Sequence, residues 1–436
     1  MVVCMDNKFF WTPETQLYYE REKIISAKNN ILIDSNNKEY IDLNSGTWNV
    51  FLGHGRKEFL NVLYKQADNL DFVSNHRFYH EQGDKLAKRI IDLFPPNMYS
   101  SVFFTSGGSE AVESALKISK QYFYNKHKEG KHRFISLFES YHGSTLGSAG
   151  ISGDPWDRVP FDDLFIESIH IHPQYCYRCG LGLSKDICKY ACIKDFEYRL
   201  DFYGEENICA LIIEPVMGVG GGVIPDEYYL NRLIEVCHKN DILVIFDEVS
   251  TGFGRTGEYF NCIKRGVYPD IITFGKTVSN GVVPLGGMIV SKRIADAFVS
   301  QKAENQFRHG FTNSGHPLAC AVGNAVLDVF EKENIIEEVK TKSESFRALI
   351  SNYTYLQFFG EVRIEGLMIA MEIVDPVTKQ TVNIPNLDII LRNKGFLISQ
   401  LAGVVALFPS VITTENEMES FMKILVEVLN EFFYMQ

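Results

Sequence analysis

The chain has 436 residues, with 43 Lys and Arg against 55 Asp and Glu, a formal net charge of −12. At 45% hydrophobic and 22% charged residues, a length of two or three domains excludes a disordered or low-complexity chain and predicts a large core. The acidic balance, with no Lys/Arg block, predicts no nucleic-acid partner, and the lack of a basic start before a long apolar run predicts neither secretion nor a membrane span.

Along the chain, 101–105 reads as a buried strand, followed by Ser106-Gly107-Gly108-Ser109 and a helix from Glu110. A second strand is predicted at 134–138. Three more fall at 210–213 before Glu214, 243–246 before Asp247, and 271–274 before Gly275-Lys276. Between them, 229–236 repeats apolar residues at three- and four-residue spacing, the period of a helix. This alternation predicts an α/β domain with a mostly parallel sheet. After Ala325, a charged helical stretch at 328–342, a strand around 366–371 and an amphipathic helix from Glu415 predict a smaller α+β domain that the N-terminal fifty residues complete. The boundaries follow as 1–52 for the N-terminal part of the small domain, 53–322 for the large domain and 323–436 for the C-terminal part.

In an open parallel sheet, functional residues collect at the carboxyl ends of strands. Those ends carry the 106–109 turn, Tyr141-His142, Glu214, Asp247 and Lys276. The glycine turn suits an anion held by free N–H groups at a helix N-terminus, or a tight turn with an N-cap serine. It matches neither dinucleotide nor P-loop spacing, so a single phosphate is the predicted ligand. Asp247 is either a chemical carboxylate at a buried strand end or a cap for the following amides. Lys276 is either a surface snorkeller or a desolvated amine suited to imine formation. A carbonyl cofactor decides between these.

Six segments, FFTSGGSEAVESALK (103–117), YHGST (141–145), IIEPVMGVGGG (212–222), VIFDEVSTGFGRTG (244–257), DIITFGKTVSNGVVPLGG (270–287) and FRHGFTNSGHPLACAVGNA (307–325), together resemble the class III, omega-type aminotransferases. These are pyridoxal 5′-phosphate (PLP) enzymes of the aspartate-aminotransferase fold type I. The resemblance covers almost the whole chain and implies that 53–322 binds PLP. It implies a Schiff base on Lys276, which then carries the proton between substrate and cofactor, and Asp247 on the pyridinium nitrogen. It further implies Tyr141 and Val249 on the two ring faces, Gly107, Gly108 and Ser109 at the phosphate, and Glu214 on the cofactor O3′ side. Thr312 would reach the cofactor of a second subunit, which makes a homodimer the minimum unit. His142 reads as a packing and hydrogen-bonding residue or a proton carrier, and Arg255 as structural.

Three positions depart from the family. Ala406 stands where many relatives acting on α-amino acids carry a carboxylate-binding arginine, and no arginine occurs in 395–436. Ser250 replaces a longer residue beside the cofactor. Trp48 resembles the aromatic that lines the substrate pocket of the omega-type branch, and equally suits a core position. These features favour a small-molecule donor whose amine is remote from a carboxylate, with a keto acid or aldehyde as acceptor. The same cofactor machinery serves an epimerase or racemase, a lyase or a decarboxylase, and a non-enzymatic scaffold is the reading from a different class.

Nine cysteines, few and odd in number, predict a free thiol and a reducing, cytoplasmic setting. Four of them, Cys176, Cys179, Cys188 and Cys192, fall in an insertion at about 173–193. Their CxxC and CxxxC pairs are spaced for a zinc staple, but spacing alone does not fix ligand geometry, and the site is read without a metal.

Overall fold

The computed structural model describes Pro13, residues 21–299 and residues 305–434. Most of the first twenty residues of the expected N-terminal unit, Cys4 among them, therefore lie outside the described residues. Near the N-terminus, β1 (Ile24–Lys28), β2 (Ile31–Asp34) and β3 (Glu39–Asp42) form an antiparallel meander. The central strands are β4 (Tyr99–Thr105), β5 (Arg133–Leu137), β6 (Ser168–Ile171), β7 (Ile208–Ile213), β8 (Leu243–Asp247), β9 (Ile271–Phe274) and β10 (Gly286–Ser291). The C-terminal strands are β11 (Phe359–Glu365), β12 (Met368–Ile373), β13 (Phe396–Leu397), β14 (Ser399–Leu401) and β15 (Val404–Leu407).

The seven central strands make one sheet in the order β4-β10-β9-β8-β7-β5-β6, with only β10 running against the rest. Both faces are covered. Leu211, Ile213, Val244, Phe246, Ile272 and Phe274 enter one apolar cluster, while Ala210, Ile212, Leu243, Ile245 and Ile271 enter another on the opposite face. Burial on both faces is why these strands read as unbroken apolar runs rather than alternating ones. The helix Gly108–Asn125 packs into the second cluster through Val112, Ala115 and Leu116, and the helix Glu227–Lys239 packs into the first through Leu230 and Leu233.

The two chain ends meet in a shared sheet, where β13 pairs in parallel with β3, Phe396 opposite Ile41. A third sheet, β11-β12-β15-β14, packs beside it. The single charged helical stretch expected at 328–342 is corrected. The helices Pro317–Lys332 and Ile335–Ser351 are separate, because Asn334 between them adopts φ 51°, which interrupts the helical ladder. The strand expected around 366–371 begins at Met368, since Gly366 at φ 60° turns the chain from β11 into β12. Among the described residues, no helix is long and apolar enough to cross a membrane.

Arg255 joins the large sheet to the elements from both ends. It is fully buried and donates Nη1 to the carbonyls of Pro409 at 2.6 Å and Leu367 at 3.4 Å, and Nη2 to that of Trp48 at 3.3 Å. Its guanidinium lies 4.4 Å from the Phe51 ring centroid. Replacing it leaves buried carbonyls without donors. Arg255→Met is expected to destabilise the chain by about 3 kcal/mol, measured by denaturant unfolding at fixed protein concentration; an unchanged midpoint would contradict this role.

Candidate active site

Because β4, β5, β7, β8 and β9 run the same way, their carboxyl ends open onto one edge of the sheet, and the residues that follow them converge there. After β4 the chain passes through Gly107 straight into the helix Gly108–Asn125, whose first N–H groups and dipole face that edge. A Cβ on Gly108 would stand 2.8 Å from Val249 Cγ1, so a side chain there would close the cradle. Ser109 Oγ accepts the Ser144 N–H at 3.1 Å, and the Tyr141 hydroxyl lies 2.9 Å from Ser144 Oγ. The loop after β5 is thereby tied to the helix N-terminus.

Asp247, only 4% exposed, is held from three directions. His142 Nδ1 donates to Oδ2 at 2.8 Å, while Thr273 Oγ1 and the Val249 N–H donate to Oδ1 at 3.0 and 3.1 Å. Because an ionised carboxylate only accepts, these contacts fix the ring tautomer of His142 and orient Asp247. His142 is thus a positioning residue. Thr273 was not singled out in the sequence, although a lone threonine within the apolar β9 was a usable signal: the β8–β9 register sets it opposite Asp247.

Lys276 follows β9 with φ 50°, a strained conformation for a lysine, and its Nζ donates to Ser250 Oγ at 2.7 Å. Burial pushes its amine down to about 8, against the opposing pull of Asp247 and Glu214. Burial also pushes the Glu214 carboxyl up to about 7, with His142 opposing and the Asp247 charge reinforcing the rise. Glu214 accepts the N–H groups of Tyr141 at 3.2 Å and Gly218 at 2.8 Å, binding two loops together.

Trp48 has the burial of a core residue and also stands beside Lys276. It is buried at 5% exposure and stacks on Phe408 at 3.9 Å, yet Lys276 Nζ lies 4.1 Å from its ring centroid. It is delivered by a left-handed turn in which Ser45, Gly46, Thr47 and Trp48 have φ 45°, 53°, 64° and 67°. Three of these four are not glycine, so the turn is strained and needs outside support. Asp42 supplies it by accepting the N–H groups of Asn44 at 2.9 Å and Gly46 at 2.7 Å, and Ser45 Oγ donates to the Phe408 carbonyl at 2.6 Å. Nothing in the local sequence announces this turn except Gly46. Ala406 belongs to the same apolar cluster as Trp48, Val216, Met368 and Phe408.

Thr312 is exposed on the turn before the helix Pro317–Lys332. The four cysteines of the insertion are free thiols lining one cavity of about 120 Å³. Among the described residues, no three or more His, Cys, Asp or Glu side chains are grouped to hold a metal ion.

A sheet edge that presents a glycine cradle at a helix N-terminus, a buried carboxylate and a desolvated lysine defines a PLP-dependent enzyme of fold type I. The cradle that Gly108 leaves open beside Val249 suits the phosphate, Lys276 the carbonyl and Asp247 the ring nitrogen. Residues 17–429 match the model of the class-III aminotransferases, and the chain belongs to that family of PLP-dependent aminotransferases. It is 31% identical over 448 residues to the adenosylmethionine-8-amino-7-oxononanoate aminotransferase of Methanocaldococcus jannaschii, covering 98% of this chain and 97% of that one. It is 30% identical over 431 residues to the omega-amino acid–pyruvate aminotransferase of Pseudomonas putida, covering 97% and 95%. Among solved structures, a PLP-bound amine transaminase from an uncultivated Pseudomonas species superposes with TM-score 0.89 at 32% identity, covering 97% of this chain and 98% of that one. An (S)-enantioselective omega-transaminase from Thermomicrobium roseum gives TM-score 0.91 at 32% identity, covering 96% of each.

Only the uncharged amine of Lys276 attacks a carbonyl. Coupling of PLP to the cofactor-free enzyme should therefore accelerate about tenfold per pH unit below its pKa and level off above about 8. Stopped-flow absorbance measures this rate. A rate still climbing toward 10.5, the ordinary lysine value, would contradict the desolvated environment.

Proposed function

We propose that the donor is an amine with no carboxylate on its amine-bearing carbon, and that the acceptor is a small keto acid or aldehyde. The observation that carries this reading is the apolar cluster of Trp48, Val216, Met368, Ala406 and Phe408, whose indole lies 4.1 Å from Lys276 Nζ and in which Ala406 stands where many relatives carry a carboxylate-binding arginine.

Bound PLP supplies a carbonyl for the donor's amine and an electron-withdrawing ring that acidifies the donor's Cα–H. Gly107, Gly108 and Ser109 would hold its phosphate, and Tyr141 and Val249 would flank its ring. Asp247, oriented by His142, Thr273 and the Val249 amide, would hold a proton on the ring nitrogen. Lys276 Nζ would hold the cofactor's carbonyl carbon and, as a free amine, would take the donor's Cα proton as a general base. Ser250 receives a hydrogen bond from that amine and Trp48 covers it, which keeps water from it. Glu214 holds the loops of Tyr141 and Gly218 around the O3′ side.

The working unit is proposed to be a cytoplasmic homodimer in which Thr312 reaches the partner's cofactor phosphate. Each chain has a PLP domain at 53–322 and a small domain from 1–52 and 323–436. The sharing of one sheet by β3 and β13 supports that division, and the free thiols support a reducing compartment.

A screen of donors against pyruvate and 2-oxoglutarate tests the donor class. A neutral amine or omega-amino acid should exceed an α-amino acid of equal size by at least about tenfold in kcat/KM, and a preference for the α-amino acid would overturn the proposal. Asp247→Asn should slow transfer by about 100-fold or more while borohydride still fixes PLP to the chain; Lys276→Ala should abolish that fixation.

A further inference from the structure

The insertion at about 173–193 takes no part in the chemistry above, yet two of its side chains reach a buried carboxylate on β12. Glu372, 1% exposed, accepts the Tyr175 hydroxyl at 3.0 Å, Arg178 Nε at 2.9 Å and Thr381 Oγ1 at 2.6 Å. Arg178 Nη2 adds a contact to the same carboxylate at 2.8 Å and donates to the Lys379 carbonyl at 2.8 Å. The Tyr175 hydroxyl accepts Arg363 Nη1 at 3.0 Å, and Arg363, itself 6% exposed, donates Nε and Nη2 to the Gly221 carbonyl at 3.0 and 2.7 Å.

Gly221 closes a turn by donating its N–H to the Gly218 carbonyl at 3.2 Å. Gly218 presses on the indole, since a Cβ there would stand 2.6 Å from Trp48 Cζ3. An unbroken run of contacts thus leads from Arg178 through Glu372, Arg363 and the 218–222 turn to the ring that covers Lys276. Between them lies a cavity of about 470 Å³, lined among others by Arg178, Glu372, Val219, Leu401 and Val404. Val219 and Leu401 also pack against the Trp48 cluster. A carboxylate buried as deeply as Glu372 is tolerated only while its donors stay in place, so loss of Arg178 must shift β12 or admit water to this wall.

We infer that Arg178 and Tyr175 are positioning residues for the donor: the insertion braces the 218–222 turn and the Val219–Leu401 wall, and so sets how bulky an amine fits against Trp48. The inference rests on the proposed reading of Trp48 as part of the donor pocket. Holoenzyme variants are assayed with a bulky donor, 1-phenylethylamine, and a small one, isopropylamine, with pyruvate as acceptor. Arg178→Ala and Tyr175→Phe are expected to raise KM for the bulky donor by about three- to tenfold. The small-donor kcat and the cofactor absorbance maximum should not move. Arg178→Lys should fail to restore the bulky-donor KM, because an ammonium lacks the guanidinium's forked donors.

Should Arg178→Ala not fold, R178A/E372Q, which removes the orphaned charge, carries the same expectation. A bulky-to-small KM ratio unchanged within about twofold, or an equal rise for both donors, would overturn the inference. Trp48→Ala separates the two levels. If it shifts the ratio and the Arg178 variants do not, the bracing fails alone; if Trp48→Ala leaves the ratio unchanged, the pocket reading fails and the inference with it.

Discussion

The organisation of the site depends on the burial of one negative charge. Asp247 ends β8 inside the protein, and a carboxylate there persists only with donors on both oxygens. Those donors come from three places: His142 in the loop after β5, Thr273 on β9, and the backbone immediately after Asp247. The charge therefore enforces the parallel register of β8 and β9, in which a one-residue slip would turn Thr273 to the other face. The same register places Lys276, three residues beyond Thr273, beside the carboxylates. Burial then drives acid and amine toward their neutral forms, Glu214 up to about 7 and Lys276 down to about 8. An amine that exchanges its proton near neutrality is what a reversible proton carrier requires.

Strain occurs, among other places, where the chain presents a side chain to that site. Lys276 and the four residues 45–48 all occupy left-handed backbone conformations, and only Gly46 adopts one without a steric penalty. The 45–48 turn is held by groups that are themselves buried. Asp42 grips the turn from before, Arg255 holds the Trp48 carbonyl from the far side, and Phe408 covers the indole. The small sheets thus act less as a separate body than as the support that makes Trp48 a fixed wall.

Under the proposed reading, that wall sets which donors the family scaffold accepts. Ala406 lies on β15 opposite Ala370, surrounded by apolar neighbours. A donor in contact with this surface gains by burying hydrocarbon and loses by bringing an unpaired carboxylate, which favours neutral or distally charged amines. The insertion adds a polar frame outside the apolar wall, with Glu372 and Arg363 at its centre.

Five of the seven central strands, the glycine turn and the residues at those strand ends were legible in the sequence, because they are signalled by local patterns: apolar runs buried on both faces, glycines where backbone must approach, and single charges after them; β6 and β10 were not among the predicted strands. The break at Asn334 and the left-handed turn at 45–48 were not, because a non-glycine residue enters that conformation only when distant groups compensate it. His142 stood beside Tyr141 in its motif, but its bond to Asp247 spans 105 positions, and Arg178 meets Glu372 across 194. By itself, the sequence placed the reactive groups after the strands, and its resemblance to the class III aminotransferases implied the cofactor chemistry. Only the tertiary structure decided which groups stabilise them, because that depends on contacts between segments whose separation along the chain carries no information about their distance in space.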